Sequence, residues 1–442
     1  MSQSVSEALN ILRDLGTPQE MRRQARRGYA PSNRPKSNSH VHLPPNFSAF
    51  ESVGQAVSLA AEQGVTVLGV SNYYDFEVYG DFTDRARSVG IFPLFGLEVI
   101  CLLDDLVREG IRVNDPGNPG KFYFCGKGIT RFAEMTQRAK EVIGKIRAND
   151  AKRMAEMIEK VGRVITERGL PIGLDESDVI DRIVRRHGSP RESVTIQERH
   201  VAQAYQEAIF DRVGSDTLGK ILNGLSAALS KDPVKVQNEI RSQLMKAGKP
   251  AFVEETFITF EEAYNLVLEL GGIPCYPTLA DGADPICEYE RPVQKLIAEI
   301  RDRNIHAAEY IPIRNKPEVL SSYVKAMRSA GLVVTAGTEH NTMDLLPIEP
   351  TCVKGAAVPE EIRDIFWEGV CVTAAHQFLS LHGERGFVDD GGIPNRDFKT
   401  AEERIEAFRG IGAAVIERYV EVNPGKTNSR NGNGDEMADF QC

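Results

Sequence analysis

Short apolar strands alternate with amphipathic helices along most of this chain, and that order limits the fold more than any other feature. Ser48-Ala49-Phe50-Glu51 has the capping-box pattern of a helix start, and the helix runs to about Gly64, placed to act as its left-handed cap. Val65–Val70 then reads as a buried strand. Ile91–Val99 reads as the next, after another short helix. Strand-helix-strand order implies a parallel sheet or barrel.

The rhythm breaks after about Gly128. As far as about Gly248 the chain is charged and helical, for example over Ala148–Arg168 and Glu198–Val213, which predicts a helical insertion between two strands. Alternation resumes at Thr259-Phe260-Glu261-Glu262, a second capping box whose helix ends at Gly271-Gly272. Strands over Ile273–Pro277, Ala307–Ile311 and Leu332–Gly337 follow, separated by helices over Pro292–Arg303 and Val319–Ala330. A further unit and a helix from Thr400 to about Val420 complete the pattern.

The expected division is a helical arm over 1–35, a first barrel part over 36–128, the insertion over 129–250 and a second barrel part over 251–378. A C-terminal helical segment over 379–422 and a disordered tail over 423–442 complete it. The arm carries a helical pattern over Val5–Leu15 and the basic stretch Met21–Arg27, read as a solvated helix face.

At 442 residues the chain can bury a large core, and its formal charge of −10 argues against a general nucleic-acid coat. Seven irregularly spaced Cys with no C-x-x-C pair predict reduced thiols. No apolar run reaches bilayer length, so the expectation is a cytoplasmic protein with no membrane partner.

Working residues of an α/β barrel lie where strands end and loops begin. The polar residues at such places are His40 and His42, Asn72 and Tyr73, Glu98, Tyr123, Tyr276, Glu309 and the run Thr338-Glu339-His340-Asn341. His40-Val41-His42 is the sharpest signal. Residues two apart on a strand share a side, so both imidazoles face one point, and neutral imidazole suits Zn, Mn, Fe or Ni. The alternative is chance proximity of two of eight His. With Glu98, Glu339 and His340 at predicted strand ends, a metal site is the stronger reading.

The order of these motifs resembles the PHP (polymerase and histidinol phosphatase) superfamily, especially its branch of phosphoesterases acting on nucleotides and short oligonucleotides. His40-Val41-His42 is similar to its opening H-x-H and Gly96-Leu97-Glu98 to its G-x-E. Phe122-Tyr123-Phe124-Cys125-Gly126 resembles its I-H-L-L-G strand, and Ile196–Ala202, with His200, its H-I-A segment. Lys249–Val253 resembles G-K-P-A-Y-V, Cys275-Tyr276-Pro277 resembles A-H-P, and Glu309-Tyr310 resembles E-V-Y. Gly337-Thr338-Glu339-His340-Asn341 resembles the closing G-S-D-x-H. The resemblance spans about residues 36 to 345 and implies a distorted (β/α)7 TIM-like barrel with a helical insertion, holding two or three metals.

The departures from the family pattern reshape the expected site. Asn72 stands for an Asp, Tyr73, Tyr123 and Tyr276 for His, Asn341 for the last His, and Glu339 for an Asp. Neutral Tyr, with a pKa of about 10, is a poor ligand. The expected ligands are therefore His40, His42, Glu98, Glu339 and His340, holding one or two divalent transition-metal ions (Mn, Zn or Fe). The tyrosines either hydrogen-bond a substrate or fill volume left by lost metals. His200 is an acid, a base or a phosphate donor, or else a helix-surface His. Arg314 fits a phosphate or carboxylate, or else a surface ion pair. His306, His376 and His382 read as structural.

Three functions compete: a metal-dependent hydrolase of phosphate esters, a barrel that binds a ligand or partner without hydrolysis, and a metal hydrolase of a carbohydrate or amide. The expected partner is a small phosphorylated or anionic substrate, with nucleic acid only as a short oligonucleotide.

Overall fold

The computed structural model describes residues 3–28, 35–212 and 232–425. Seven strands lie side by side in one barrel-shaped sheet, in the order β1 (Lys36–Val41), β2 (Val65–Val70), β3 (Phe92–Leu102), β4 (Lys121–Lys127), β6 (Ile273–Thr278), β7 (Ala307–Tyr310) and β8 (Val333–Ala336). The two-residue strand β5 (Ile258–Thr259) pairs only with β3. The barrel nearly closes where the chain leaves β8. The amides of Thr338 and Glu339 donate to the His40 carbonyl, and the His42 amide donates to the Glu339 carbonyl. The expected distorted barrel is the fold observed.

Expectation and structure part at β4. This strand is antiparallel to both neighbours, with Leu102 opposite Lys121 on one side and Lys127 opposite Ile273 on the other. The other pairings along the barrel are parallel. An antiparallel neighbour needs no full crossover helix, and the link from β3 to β4 contains only the six-residue helix Asp104–Glu109. Residues at the mouth thus come from the start of β4, and its last residue, Lys127, lies toward the closed end.

Helix starts follow local chemistry. Thr259 and Thr400 each accept the amide three residues on, from Glu262 and Glu403, whose carboxylates reach back to the cap backbone. The box expected at Ser48 does not form. Ser48 Oγ instead donates to the His42 carbonyl, and Ser52 caps the helix Val53–Glu62. Gly64 follows that helix at φ +71°.

Two apolar cores form. The larger surrounds the barrel and includes Val5, Leu9 and Leu12 of the first helix (Gln3–Arg13). In the next helix, Pro18–Ala25, Met21 is buried and Arg22 pairs with Glu384. The helix Glu360–Leu381, buried along most of its length, packs on β8 and on the helix Ala401–Val422. That second contact is close enough that a Cβ on Gly412 would strike the Cys371 carbonyl.

The smaller core lies between 154 and 253, joining Met157, Val161, Val179, Val201, Tyr205 and Ile240. One 31-residue helix, Gln137–Glu167, serves both: Ala139, Ile143 and Ile146 pack in the barrel core, and Met154 onward in the other. The six described cysteines are buried and unpaired. No helix among the described residues is long and apolar enough to cross a membrane. Val213 and the expected tail beyond residue 425 lie outside the described residues.

Candidate metal centre

His40 is the penultimate residue of β1 and His42 directly follows its last residue, Val41, so strand alternation turns both rings to one side. Glu98 reaches the same point from β3. His40 Nε2 and His42 Nε2 are 3.2 Å apart, and Glu98 Oε2 lies 3.3 Å from the first and 2.9 Å from the second. All three residues are buried. Donor atoms held tetrahedrally at about 2.0–2.1 Å from an ion stand about 3.3 Å from one another, so these separations match one face of such a shell. Two imidazole nitrogens facing each other this closely share at most one proton, and a cation between them resolves the conflict. The residues present fit a divalent metal ion.

A surrounding layer aligns the three. His40 Nδ1 donates to Glu309 Oε1 at 2.6 Å, the carboxylate–histidine arrangement that fixes the tautomer and leaves Nε2 as the ligand atom. Tyr73 donates to Glu98 Oε1 at 2.9 Å, and its ring stacks on His42 at 4.8 Å and 15°. With no ion at Nε2, burial penalises the His40 imidazolium, but the charge of Glu309 and hydrogen bonds to Glu309 and Glu98 outweigh it and push the pKa up to about 9; a bound metal would stand in place of the Nε2 proton. Burial likewise works against an ionised Glu98. Hydrogen bonds from both histidines prevail and hold it well below the usual carboxylate range. Burial raises the Tyr73 hydroxyl well above its ordinary value, so it stays a donor.

Closure of the barrel brings the last motif to the same place. A Cβ on Gly337 would collide with His40, so only glycine allows this approach. Glu339 and His340 both adopt left-handed backbone, at φ +57° and +53°, a strained conformation for such residues that is held by the closing hydrogen bonds. This turn separates the two side chains. Glu339 faces the mouth, where Arg314 clamps both its oxygens and Asn341 donates at 2.9 Å. His340 turns away and stacks on Phe50 at 4.6 Å. Its Nε2 donates to the Leu346 carbonyl at 2.9 Å, and its Nδ1 accepts from Thr338 at 2.7 Å. No lone pair is left for a metal.

The other candidate residues divide. Tyr123 lines the mouth beneath Lys121. Asn72 is bonded to the backbone of Leu43 through both ends of its amide. Tyr276 donates to the buried Glu290 at 2.9 Å, on a separate network that includes the amides of Leu279 and Ala280. His200 is buried in packing, accepting the Gln197 amide at 3.1 Å, with its ring edge on Phe47. His306, His376 and His382 bond the carbonyls of Gly392, Gly271 and Phe378 and do not approach the centre.

Above the centre lies a cavity of about 810 Å³, walled by the barrel mouth and the insertion, and lined by His40, Glu98 and Tyr73 among others. Most of its basic residues are matched. Lys121 pairs with Glu255 at 2.6 Å, and Glu198 takes Arg153 at 2.5 Å and Lys246 at 2.9 Å. Arg199 has no carboxylate partner among the described residues. Its guanidinium lies over the Phe47 ring at 5.7 Å, and burial and neighbouring Arg241 lower its pKa to about 10. Arg241 reaches Glu198 only at 3.7 Å, and its Nε is buried without a partner.

Glu309, Lys127, Arg199 and Arg241 are site residues that sequence pattern alone does not single out for a role. Glu309 sat among the strand-end polar residues, and Lys127, a charge closing an apolar strand, was a usable signal. Arg199 and Arg241 carried none beyond their charge.

No family model and no curated protein matches the chain. Among solved structures, a protein from Bifidobacterium adolescentis described as a metal-dependent phosphoesterase aligns with a TM-score of 0.49 and 16% identity, over 75% of this chain and 96% of that one. An amidohydrolase from Chromobacterium violaceum, with bound sulfate and no metal, aligns at 0.47 and 15% over the same shares. Likeness at this level carries no information about activity.

Proposed function

We propose that this protein is a metal-dependent hydrolase that cleaves a small anionic ester, with phosphate esters the leading class. The convergence of His40 Nε2, His42 Nε2 and Glu98 Oε2 within 3.3 Å of one another is the observation that carries this reading. His40, His42 and Glu98 would hold a divalent ion, which would supply the Lewis acidity that makes a water reactive at neutral pH. The chain's own groups do the rest. Glu309 orients His40, Tyr73 orients Glu98, and Arg199, with no carboxylate partner among the described residues, and Arg241, which shares Glu198 with Arg153 and Lys246, offer positive charge to an anionic substrate in the cavity. The order of motifs similar to the PHP superfamily points the same way. A short oligonucleotide is the only form of nucleic acid this reading admits.

A second reading, a barrel that binds without hydrolysis, draws on Asn72 and Tyr276, both committed to structural hydrogen bonds. Two measurements separate them. Elemental analysis of wild type and of the His40→Ala/His42→Ala variant should find a transition metal in the first and none in the second. A panel of phosphate, amide and glycoside substrates should then show phosphoester turnover above a Glu98→Gln control. Metal-free wild type would refute the proposal, and a metal with no turnover would favour the binding reading. Amide or glycoside turnover alone would replace the substrate class.

A further inference from the structure

Three carboxylates, Glu98, Glu309 and Glu339, stand at or beside the metal centre, and a second ligand set exists beside the first. Ligand atoms of His40, Cys125 and Glu309 all lie within 4.8 Å of one another, as do those of His40, His42 and Glu98. Carboxylates in such number serve centres with more than one ion. Here, however, two of the three already hold a cation that belongs to the chain.

Lys127, at the end of β4, is the first. Its Nζ lies 2.5 Å from Glu309 Oε2 and 3.3 Å from the Ser39 carbonyl, and its side chain is 4% exposed. Glu309 is fully committed, since it also accepts from Ser39 Oγ at 2.7 Å and from His40 Nδ1. Arg314 is the second. Its guanidinium fork takes both oxygens of Glu339, and Asn341 takes one of them again.

We propose that the centre accepts a single divalent ion, because Lys127 and Arg314 occupy the carboxylates on which further ions would depend. The inference rests on the metal-dependent reading and goes beyond it. The charges make the point. Glu98, Glu309 and Glu339 carry three negative charges, and Lys127 and Arg314 return two positive ones. One dication on Glu98 and two neutral imidazoles leaves the group at about +1. A second dication would bring it to about +3 around residues as buried as His40, His42 and Glu98, which their burial opposes. The second ligand set is blocked on its own terms as well: His40 is shared with the first, and the Lys127 ammonium sits on Glu309.

The test is a titration of metal-free protein with Mn²⁺, read by electron paramagnetic resonance, with the bound metal counted by elemental analysis after gel filtration. Wild type should bind one Mn²⁺ per chain, with the spectrum of an isolated ion. Arg314→Met, which frees Glu339, should bind two under the same conditions and show the broadened signal of neighbouring ions. Lys127→Met serves as a second variant, with circular dichroism reporting whether it folds; if it does not, Arg314→Met decides alone. Two ions in wild type would overturn the inference and leave the metal-dependent reading intact. One ion in Arg314→Met would also overturn it. No ion in wild type would remove the metal-dependent reading, and this inference with it.

Discussion

Replacing Tyr73 by Phe removes one oxygen from the layer behind the metal centre and keeps almost everything else. The ring stack on His42, at 4.8 Å and 15°, is available to phenylalanine. The hydroxyl that donates to Glu98 Oε1 at 2.9 Å is not. That hydrogen bond leaves Glu98 Oε2 turned toward the two Nε2 atoms, and without it the carboxylate can rotate off the shared point. A buried hydrogen bond to a charged group contributes about 1.5–3 kcal/mol. Losing that orientation converts to roughly a ten- to hundred-fold loss, the range found when a supporting partner of a metal ligand is removed. The assay is competition for Zn²⁺ between the protein and a chromophoric chelator at fixed pH and ionic strength, with wild type and Tyr73→Phe compared. An affinity within about three-fold of wild type would refute the role given to Tyr73 and weaken the placement of Glu98 as a ligand.

Three further outcomes are expected. Arg199→Ala should weaken binding of inorganic phosphate at least about ten-fold by calorimetry, since a hydrogen-bonded charge contact contributes about 1.5–3 kcal/mol; unchanged binding would place the anion elsewhere. Burial opposes ionised Glu198, but Lys246 and Arg153 hold its pKa down at about 2 from an ordinary 4.5, so its contribution is complete above 4.5 and lost as pH falls toward 2. Urea unfolding at pH 5.5 and 2.5 should therefore show an acid loss smaller in Glu198→Gln than in wild type, by up to about 3 kcal/mol. Gly412→Ala should lower stability by about 2 kcal/mol or more in thermal unfolding, because the new methyl meets the Cys371 carbonyl, and a neutral result would mean that the two C-terminal helices part readily.

The barrel was legible because burial leaves a period in the sequence: apolar runs such as Val65–Val70, then amphipathic stretches closed by glycine. Strand direction leaves no such mark, and the seven residues of β4 read alike in either sense. His40 and His42 were legible because alternation on a strand is fixed geometry. Glu339 and His340 were not separable, since two successive left-handed residues send neighbouring side chains to places that no periodicity describes. A related difficulty governs the insertion. Adjacent positions on a helix point about 100° apart, so whether His200 or Arg199 meets the cavity depends on how the helix Glu198–Arg212 is rotated. The structure seats His200 in packing and leaves Arg199 on the cavity wall.

Because β4 runs backwards, the chain leaves it at the closed end of the barrel, yet the insertion must stand over the open one. The helix Gln137–Glu167 spans that distance, about 46 Å at 1.5 Å per residue, with its first turns set in one core and its last in another. It behaves as a keyed shaft. Removing a single residue between Ile146 and Met154 would leave both cores intact in composition but turn one against the other by about 100°. Arg199 and Arg241 would then swing off the cavity while the histidines stayed in place. The timing between the two halves of the site is set by the number of residues in that helix, so substitutions along its exposed face should be tolerated where insertions and deletions are not.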